Sequence, residues 1–197
     1  MAGIDAWEPW HPSVVAQRLA AVAVPWCFAG GWALDLFLGR QTREHGDVEF
    51  AVPHARFGEV AERFPDVDFH VPVEGVLVPS TPALLAQEHQ TWALDRAADR
   101  WRFDVFREPH DGAMWICRRD ERIRRPYAEL IRHDGAGLPF MAPEVVLLFK
   151  AKASRDKDAR DFAVTLPALD ADQRRWLTDA LALVHPGHPW LATVTAG

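Results

Sequence analysis

Two carboxylates one residue apart, Asp47 and Glu49, carry the clearest chemical potential in this sequence. On a β-strand successive side chains alternate faces, so the pair would project together while Val48, Phe50 and Val52 point the other way into a core. Like charges on adjacent same-face positions repel, and water or a cation must offset the cost. Hard oxygen donors on a rigid strand suit Mg2+, which commonly takes one or two carboxylates and completes its octahedron with water and substrate phosphates. Upstream, Gly30-Gly31 separates the apolar stretch Trp26-Cys27-Phe28-Ala29 from a helical pattern over Trp32 to Leu38. A strand-to-helix junction of this kind leaves backbone N–H groups free for an anion, and phosphates would sit there. Taken singly, each half has a simpler reading, the glycines as a turn and the acids as a solvated edge.

Further residues could join them. In Trp101-Arg102-Phe103-Asp104-Val105-Phe106, alternation places Trp101, Phe103 and Val105 on one face and Arg102, Asp104 and Phe106 on the other. Asp104 is a lone acid there, either exposed on an edge or a third carboxylate beside the first two. Lys150 sits on an otherwise apolar helical stretch, where burial is costly without an anionic partner. Arg43 and His45 precede the acidic pair closely enough to approach phosphates seated there, with a surface-loop role as the alternative. Asp158 reads as a helix cap, and Lys157 with Asp161 as an i, i+4 pair. The cluster Arg118, Arg119, Arg122, Arg124 and Arg125 is interrupted by Asp120 and Glu121 and reads first as a solvated loop.

The elements that must position these residues follow from periodicity and breakers. Helical patterns cover 12–22, 32–38, 55–64 and 83–87, with Gly39 closing the second. Strand patterns cover 26–29, 47–52, 67–71, 90–95 and 101–107, the last two forming a hairpin, with shorter ones at 114–117 and 138–141. From Pro143 the character becomes helical, over 144–153, 158–166 and 171–184, with Pro167 and Pro186 as stops and Trp190 available to dock the tail. The expectation is an α+β protein: a small mixed β-sheet core flanked by helices over 1–112, then a mainly helical region over 113–197. With 197 residues and 49% hydrophobic content a real core is affordable. No apolar run approaches the ~20 residues of a membrane span and the start carries Asp5 and Glu8, so no membrane association and a cytoplasmic location are expected. Two cysteines, Cys27 and Cys117, read as buried free thiols, and no His or Cys spacing suggests zinc. A net charge of −6 argues against a nucleic-acid groove and is compatible with steering a cationic small molecule. The nine tryptophans read mainly as core.

Taken together, Gly30-Gly31-Trp32-Ala33-Leu34-Asp35, then Leu38-Gly39-Arg40-Gln41-Thr42-Arg43-Glu44-His45 and the acidic pair, resemble the nucleotidyltransferase superfamily, and within it the aminoglycoside nucleotidyltransferases of the 2''-type and their bacterial relatives. The segment Leu148-Phe149-Lys150-Ala151-Lys152 with Lys157-Asp158 and Asp161 is similar to a lysine-rich helical segment of several such families. The resemblance implies a nucleotidyltransferase fold and transfer of a nucleoside monophosphate from ATP or another NTP to a hydroxyl, as in antibiotic resistance. It implies Asp47 and Glu49 as ligands of one or two Mg2+ ions and Gly30 and Gly31 as the phosphate clamp. Asp104 becomes the third acid, as general base or shared metal ligand, Lys150 a contact to the triphosphate, and Arg43 and His45 residues that approach the nucleotide. The partners expected are the nucleotide and a small, cationic acceptor; oligomeric state is left open. A macromolecular acceptor, for which the arginine cluster is the local support, and a silent nucleotide-binding relative are the alternatives. The named enzymes usually carry Asp at the second acidic position, where this chain has Glu49, whose extra methylene moves the oxygens by about one carbon–carbon bond.

Overall fold

The computed structural model describes residues 2–153 and 155–195. The chain runs α1 (Pro12–Leu19), β1 (Cys27–Phe28), α2 (Gly30–Leu38), β2 (Glu49–Pro53), a 3-10 turn (His54–Arg56), α3 (Phe57–Ala61), β3 (Val67–Val73), β4 (Val76–Pro79), α4 (Pro82–Gln87), β5 (Gln90–Asp95) and β6 (Arg100–Glu108). There follow β7 (His110–Asp111), β8 (Met114–Ile116), β9 (Arg124–Pro126), α5 (Tyr127–Leu130), β10 (Ile131–His133), β11 (Pro139–Met141), α6 (Pro143–Lys150), α7 (Asp156–Thr165), a 3-10 turn (Leu166–Ala168), α8 (Ala171–Val184) and α9 (Trp190–Thr195).

The main sheet has eight strands in the order β10-β11-β1-β2-β6-β5-β3-β4, and β7, β8 and β9 form a small antiparallel sheet. The β1–β11 and β2–β6 pairs are parallel and the others antiparallel, which makes the sheet mixed, as expected. β10 and β11 come from beyond residue 112 yet complete the sheet begun by β1 and β2. The sequence boundary at 112 did not foresee this, because residues 131–141 are short, proline- and glycine-interrupted strands with little alternation to read.

β6 lies between β2 and β5, and a central strand is covered on both faces. Trp101, Phe103 and Val105 are buried as the alternation requires, but so are Asp104, Arg107 and Glu108. Phe103 meets Phe64 at 4.6 Å and Phe50 at 5.4 Å between ring centroids, tying β6, β2 and the turn that follows α3 into one core. That core continues without a break into α6, α7 and α8.

Helix ends follow local chemistry. Gly39 ends α2 in the left-handed region at φ +66°, a conformation that favours glycine. Pro143 occupies the first turn of α6, and Asp170 with Gln173 forms a capping box on α8, which spans the 171–184 expected. Trp190 stacks on Phe162 at 4.0 Å and docks the C-terminal helix. Cys27 and Cys117 are free and buried. Among the described residues no helix is long and apolar enough to cross a membrane.

Candidate active site

The parallel pairing of β2 with β6 sets Glu49 opposite Asp104, so two acids share one face of the sheet on adjacent strands. Asp47 lies two residues before Glu49, just ahead of the first regular strand residue rather than within the strand expected over 47–52. Asp47 and Glu49 line a cavity of about 180 Å³ together with Gly30, Gly31, Arg43 and Lys150. Asp104 is 3% exposed and lies outside that lining, next to Glu49 in the register.

The carboxylates are held at a cost. Burial, and then the Asp47 charge, push the Glu49 carboxyl up to about 7. Asp104 is raised well above its ordinary range by burial and then by Glu49. The Gln90 amide donates to Asp104 Oδ2, while Oδ1 is buried without a hydrogen-bond partner. An orphaned carboxylate oxygen beside two repelling acids is a donor set that fits a divalent cation. Among the described residues no three His, Cys, Asp or Glu groups already close on one point.

Gly30 and Gly31 serve these acids as well as the helix start. Gly30 adopts φ +58°, and a Cβ there would fall 1.5 Å from Glu49 Oε2, so the carboxylate occupies the space a side chain would need. At Gly31 a Cβ would meet the His45 ring at 2.5 Å and Arg43 Nη2 at 2.7 Å. The α2 N-terminus has no side-chain cap, and Ala29, Gly30 and Gly31 all line the cavity, leaving its first N–H groups to an anion.

His45 does not line the cavity, contrary to the expected nucleotide contact. Its Nε2 sits 2.5 Å from Asp35 Oδ2, and Thr42 donates to Asp35 Oδ1 from both its backbone N–H (3.1 Å) and its hydroxyl (2.6 Å). Asp35, 4% exposed, thus ties the 40–46 loop to α2, and His45 positions the loop that carries Asp47. Only the spacing of Asp35 within the glycine motif hinted at this role.

The opposite side of the cavity is an ion-pair chain. Arg43 clamps Asp161 with both ends of its guanidinium (2.9 and 3.1 Å), Lys150 bridges Asp161 (2.8 Å) and Asp158 (3.2 Å), and Arg155 closes on Asp158 (2.7 Å). Three cations face two carboxylates, leaving a surplus positive charge beside the acids of β2. Burial alone would raise Asp158 and Asp161, but their hydrogen bonds to Arg155, and to Arg43 and Lys150, outweigh it and both are lowered. Asp158 is therefore no helix cap, since Arg155 holds that position, and the partners of Asp161 are Arg43 and Lys150.

Sequence reasoning missed the far end of the cavity, where Phe106, Glu108, Phe149, Arg118 and Arg119 line it. The β6 alternation already set Phe106 on the Asp104 face, and continuing it two residues further would have found Glu108. Of the arginine cluster, Arg118 pairs with buried Glu108, Arg119 caps α6 through the Leu148 (3.1 Å) and Phe149 (2.9 Å) carbonyls, and Arg125 pairs with Glu144 at 2.5 Å. The solvated-loop reading survives for Arg122 and Arg124 alone.

Known proteins resemble this chain in part of its sequence and in its fold. The profile of the aminoglycoside-2''-adenylyltransferase family matches residues 13–83, which include the glycine junction and the acidic pair. A 2''-aminoglycoside nucleotidyltransferase from Klebsiella pneumoniae is 41% identical over 51 residues, a match spanning 24% of this chain and 29% of that relative. Among solved structures, ANT(2'')-Ia in complex with adenylyl-2''-tobramycin superposes with a TM-score of 0.59 at 15% identity, covering 86% of this chain and 93% of the other. Lincomycin-bound LnuA, a lincosamide antibiotic adenylyltransferase, superposes with a TM-score of 0.54 at 15% identity, covering 77% and 91%. Likeness at such identity concerns the fold. In sequence over residues 13–83 and in overall fold, this chain resembles the 2''-type aminoglycoside nucleotidyltransferases.

Proposed function

We propose that this protein transfers a nucleoside monophosphate from ATP, or another NTP, to a hydroxyl of a small molecule, in a Mg2+-dependent reaction that releases pyrophosphate. The observation that carries the reading is the juxtaposition in one cavity of Asp47 and Glu49 with Lys150, Arg43 and the uncapped α2 N-terminus. Carboxylates that need a cation and cations that need an anion face each other, which is the charge pattern a metal–triphosphate complex would complete. A bound Mg2+ would be held by Asp47 and Glu49 and would supply Lewis-acid neutralisation of the triphosphate.

The remaining work falls to the chain itself. Lys150 and Arg43, fixed by Asp158 and Asp161, present positive charge that needs no reorganisation when phosphates arrive. The Gly30 and Gly31 N–H groups add donors at the positive end of α2. Asp104, opposite Glu49 in the register and with Oδ1 free of a hydrogen-bond partner, is the residue we assign to take the acceptor's hydroxyl proton. Glu49 in place of Asp is accommodated because Gly30 leaves its longer side chain room.

A hydroxylated antibiotic of the aminoglycoside kind is the acceptor the relatives suggest. The net charge of −6 is compatible with steering a cationic acceptor, while the cavity lining itself carries six Lys and Arg residues against four Asp and Glu. The cytoplasm, where ATP and free thiols such as Cys27 and Cys117 coexist, is the compartment the reading requires. The test is incubation with Mg2+, labelled ATP and a panel of hydroxylated acceptors, following label transfer and pyrophosphate. Label on an acceptor supports the reading; the absence of metal-dependent nucleotide binding with every NTP tried removes it.

A further inference from the structure

Beside the reaction cavity lies a larger cleft of about 760 Å³ that shares Arg118 and Arg119 with it. Arg107 and Lys152 also line this second cleft, and the acid among its lining residues is Glu88. The charges are unevenly compensated. Arg118 has Glu108 as its ion-pair partner. Arg107, 1% exposed, donates to Thr91 Oγ1 (2.9 Å) and to the Leu85 and Glu88 carbonyls, and Arg119 to the carbonyls already named. These acceptors are neutral, so both guanidinium groups keep their full charge in a partly enclosed space. Capping the ends of α4 and α6 explains where these two arginines point. It does not explain why Lys152, which makes no ion pair among the described residues, shares a cleft with them.

Three histidines, His54, His89 and His110, line the same cleft. His110 Nδ1 is buried without a hydrogen-bond partner. Partial burial, followed by the charges of Arg118, Arg107, Lys152 and Arg119, holds the His89 imidazole down at about 4. His54 Nε2 is engaged by the Leu85 carbonyl at 2.7 Å. A cleft that gathers cations and imidazoles around one acid is poised for an anion, which would relieve the mutual repulsion and give the His110 ring the partner it lacks.

We propose that this second cleft binds the anionic group, phosphate or carboxylate, of a small molecule whose hydroxyl reaches the reaction cavity across the shared Arg118–Arg119 boundary. The proposal rests on the nucleotidyl-transfer reading and names its acceptor class as anionic rather than cationic. The same chemistry could come from the nucleotide's own phosphates, and the experiment separates the two sources.

The experiment follows the imidazole resonances of the 15N-histidine-labelled full chain during titration with inorganic phosphate, alone and with Mg2+ and a saturating non-hydrolysable ATP analogue. Saturable shifts at His54, His89 and His110 that persist with the analogue bound, and an affinity weakened roughly three- to fivefold by Lys152→Ala, are expected. The proposal is overturned if the shifts are absent, do not saturate, or are unaffected by Lys152→Ala; it is also overturned if the analogue abolishes them, since the anion is then the nucleotide's. Failure of the analogue to bind, read from its own 31P resonances in the same samples, would instead defeat the nucleotidyl-transfer reading. In turnover, a phosphorylated polyol is expected to show a lower KM than the same polyol without its phosphate, and the reverse order overturns the proposal.

Discussion

Replacing Glu49 by glutamine tests whether the acids of this site are held against their own repulsion. Burial and the Asp47 charge raise the Glu49 carboxyl from an ordinary 4.5 to about 7. The folded protein therefore holds this proton more tightly than the unfolded chain, and stability is lost as pH rises from about 4.5 through about 7. The gap corresponds to at most roughly 3 kcal/mol at pH 8. Glutamine keeps the shape beside Gly30 and carries no charge. In metal-free buffer at about pH 8, E49Q should melt some 5–10 °C above the parent protein, the difference closing as pH falls toward 4. His89, depressed to about 4, acts with the opposite sign, since stability falls as pH drops below 6.5, but it is common to both proteins and cancels in the comparison. Adding Mg2+ with ATP should then raise the melting temperature of the parent and leave E49Q unmoved. Calorimetric or fluorescence melts across pH 4–8 make the measurement. A variant that melts at or below the parent at pH 8, or a difference that does not change with pH, would refute the reasoning.

Other outcomes follow from the same geometry. Gly30→Ala forces a side chain into the left-handed region and into the Glu49 carboxylate; about 1–2 kcal/mol of stability should be lost in urea unfolding, with metal-dependent nucleotide binding falling further than that loss explains. His45→Ala strips buried Asp35 of one partner and should cost about 1–3 kcal/mol, while nucleotide titration of the still-folded variant shows a modest change, because His45 holds the loop and lies outside the cavity. Asp104→Asn should lower kcat by about 10²-fold or more and leave nucleotide affinity near that of the parent, as single-turnover kinetics would reveal. Because Asp158 and Asp161 are held below the usual 3.8, the stability their ion pairs contribute is present at neutral pH and is lost as pH falls below about 4; an Asp161→Asn variant should show a shallower acid transition by circular dichroism.

How far the sequence foretold this arrangement depends on the range of the forces involved. The α2 junction, the Asp47–Glu49 spacing and the helical run over 171–184 are local, and their residues announce them. Asp104 was legible as a lone acid in an apolar strand, but its place opposite Glu49 is a register fact that depends on β2 pairing in parallel with a strand some fifty residues later. The sheet boundary went astray for the same reason: β11 has three residues and joins because β1 offers it an open edge, not because its own pattern demands it. Lys150 announced its need for an anionic partner but not which one, and the Arg43–Asp161 pair joins segments 118 residues apart that nothing local connects. Burial turns these charges into the basic side of a cavity.

The central claim is that Asp47 and Glu49 hold a metal on which a nucleotide is seated. Titration of Mn2+ in place of Mg2+ under electron paramagnetic resonance, with and without ATP, reads that event directly. The account predicts one or two bound ions whose affinity rises when ATP is present and is lost in Asp47→Asn. Metal binding unchanged in Asp47→Asn, or ATP binding equally well with and without the ion, would contradict it.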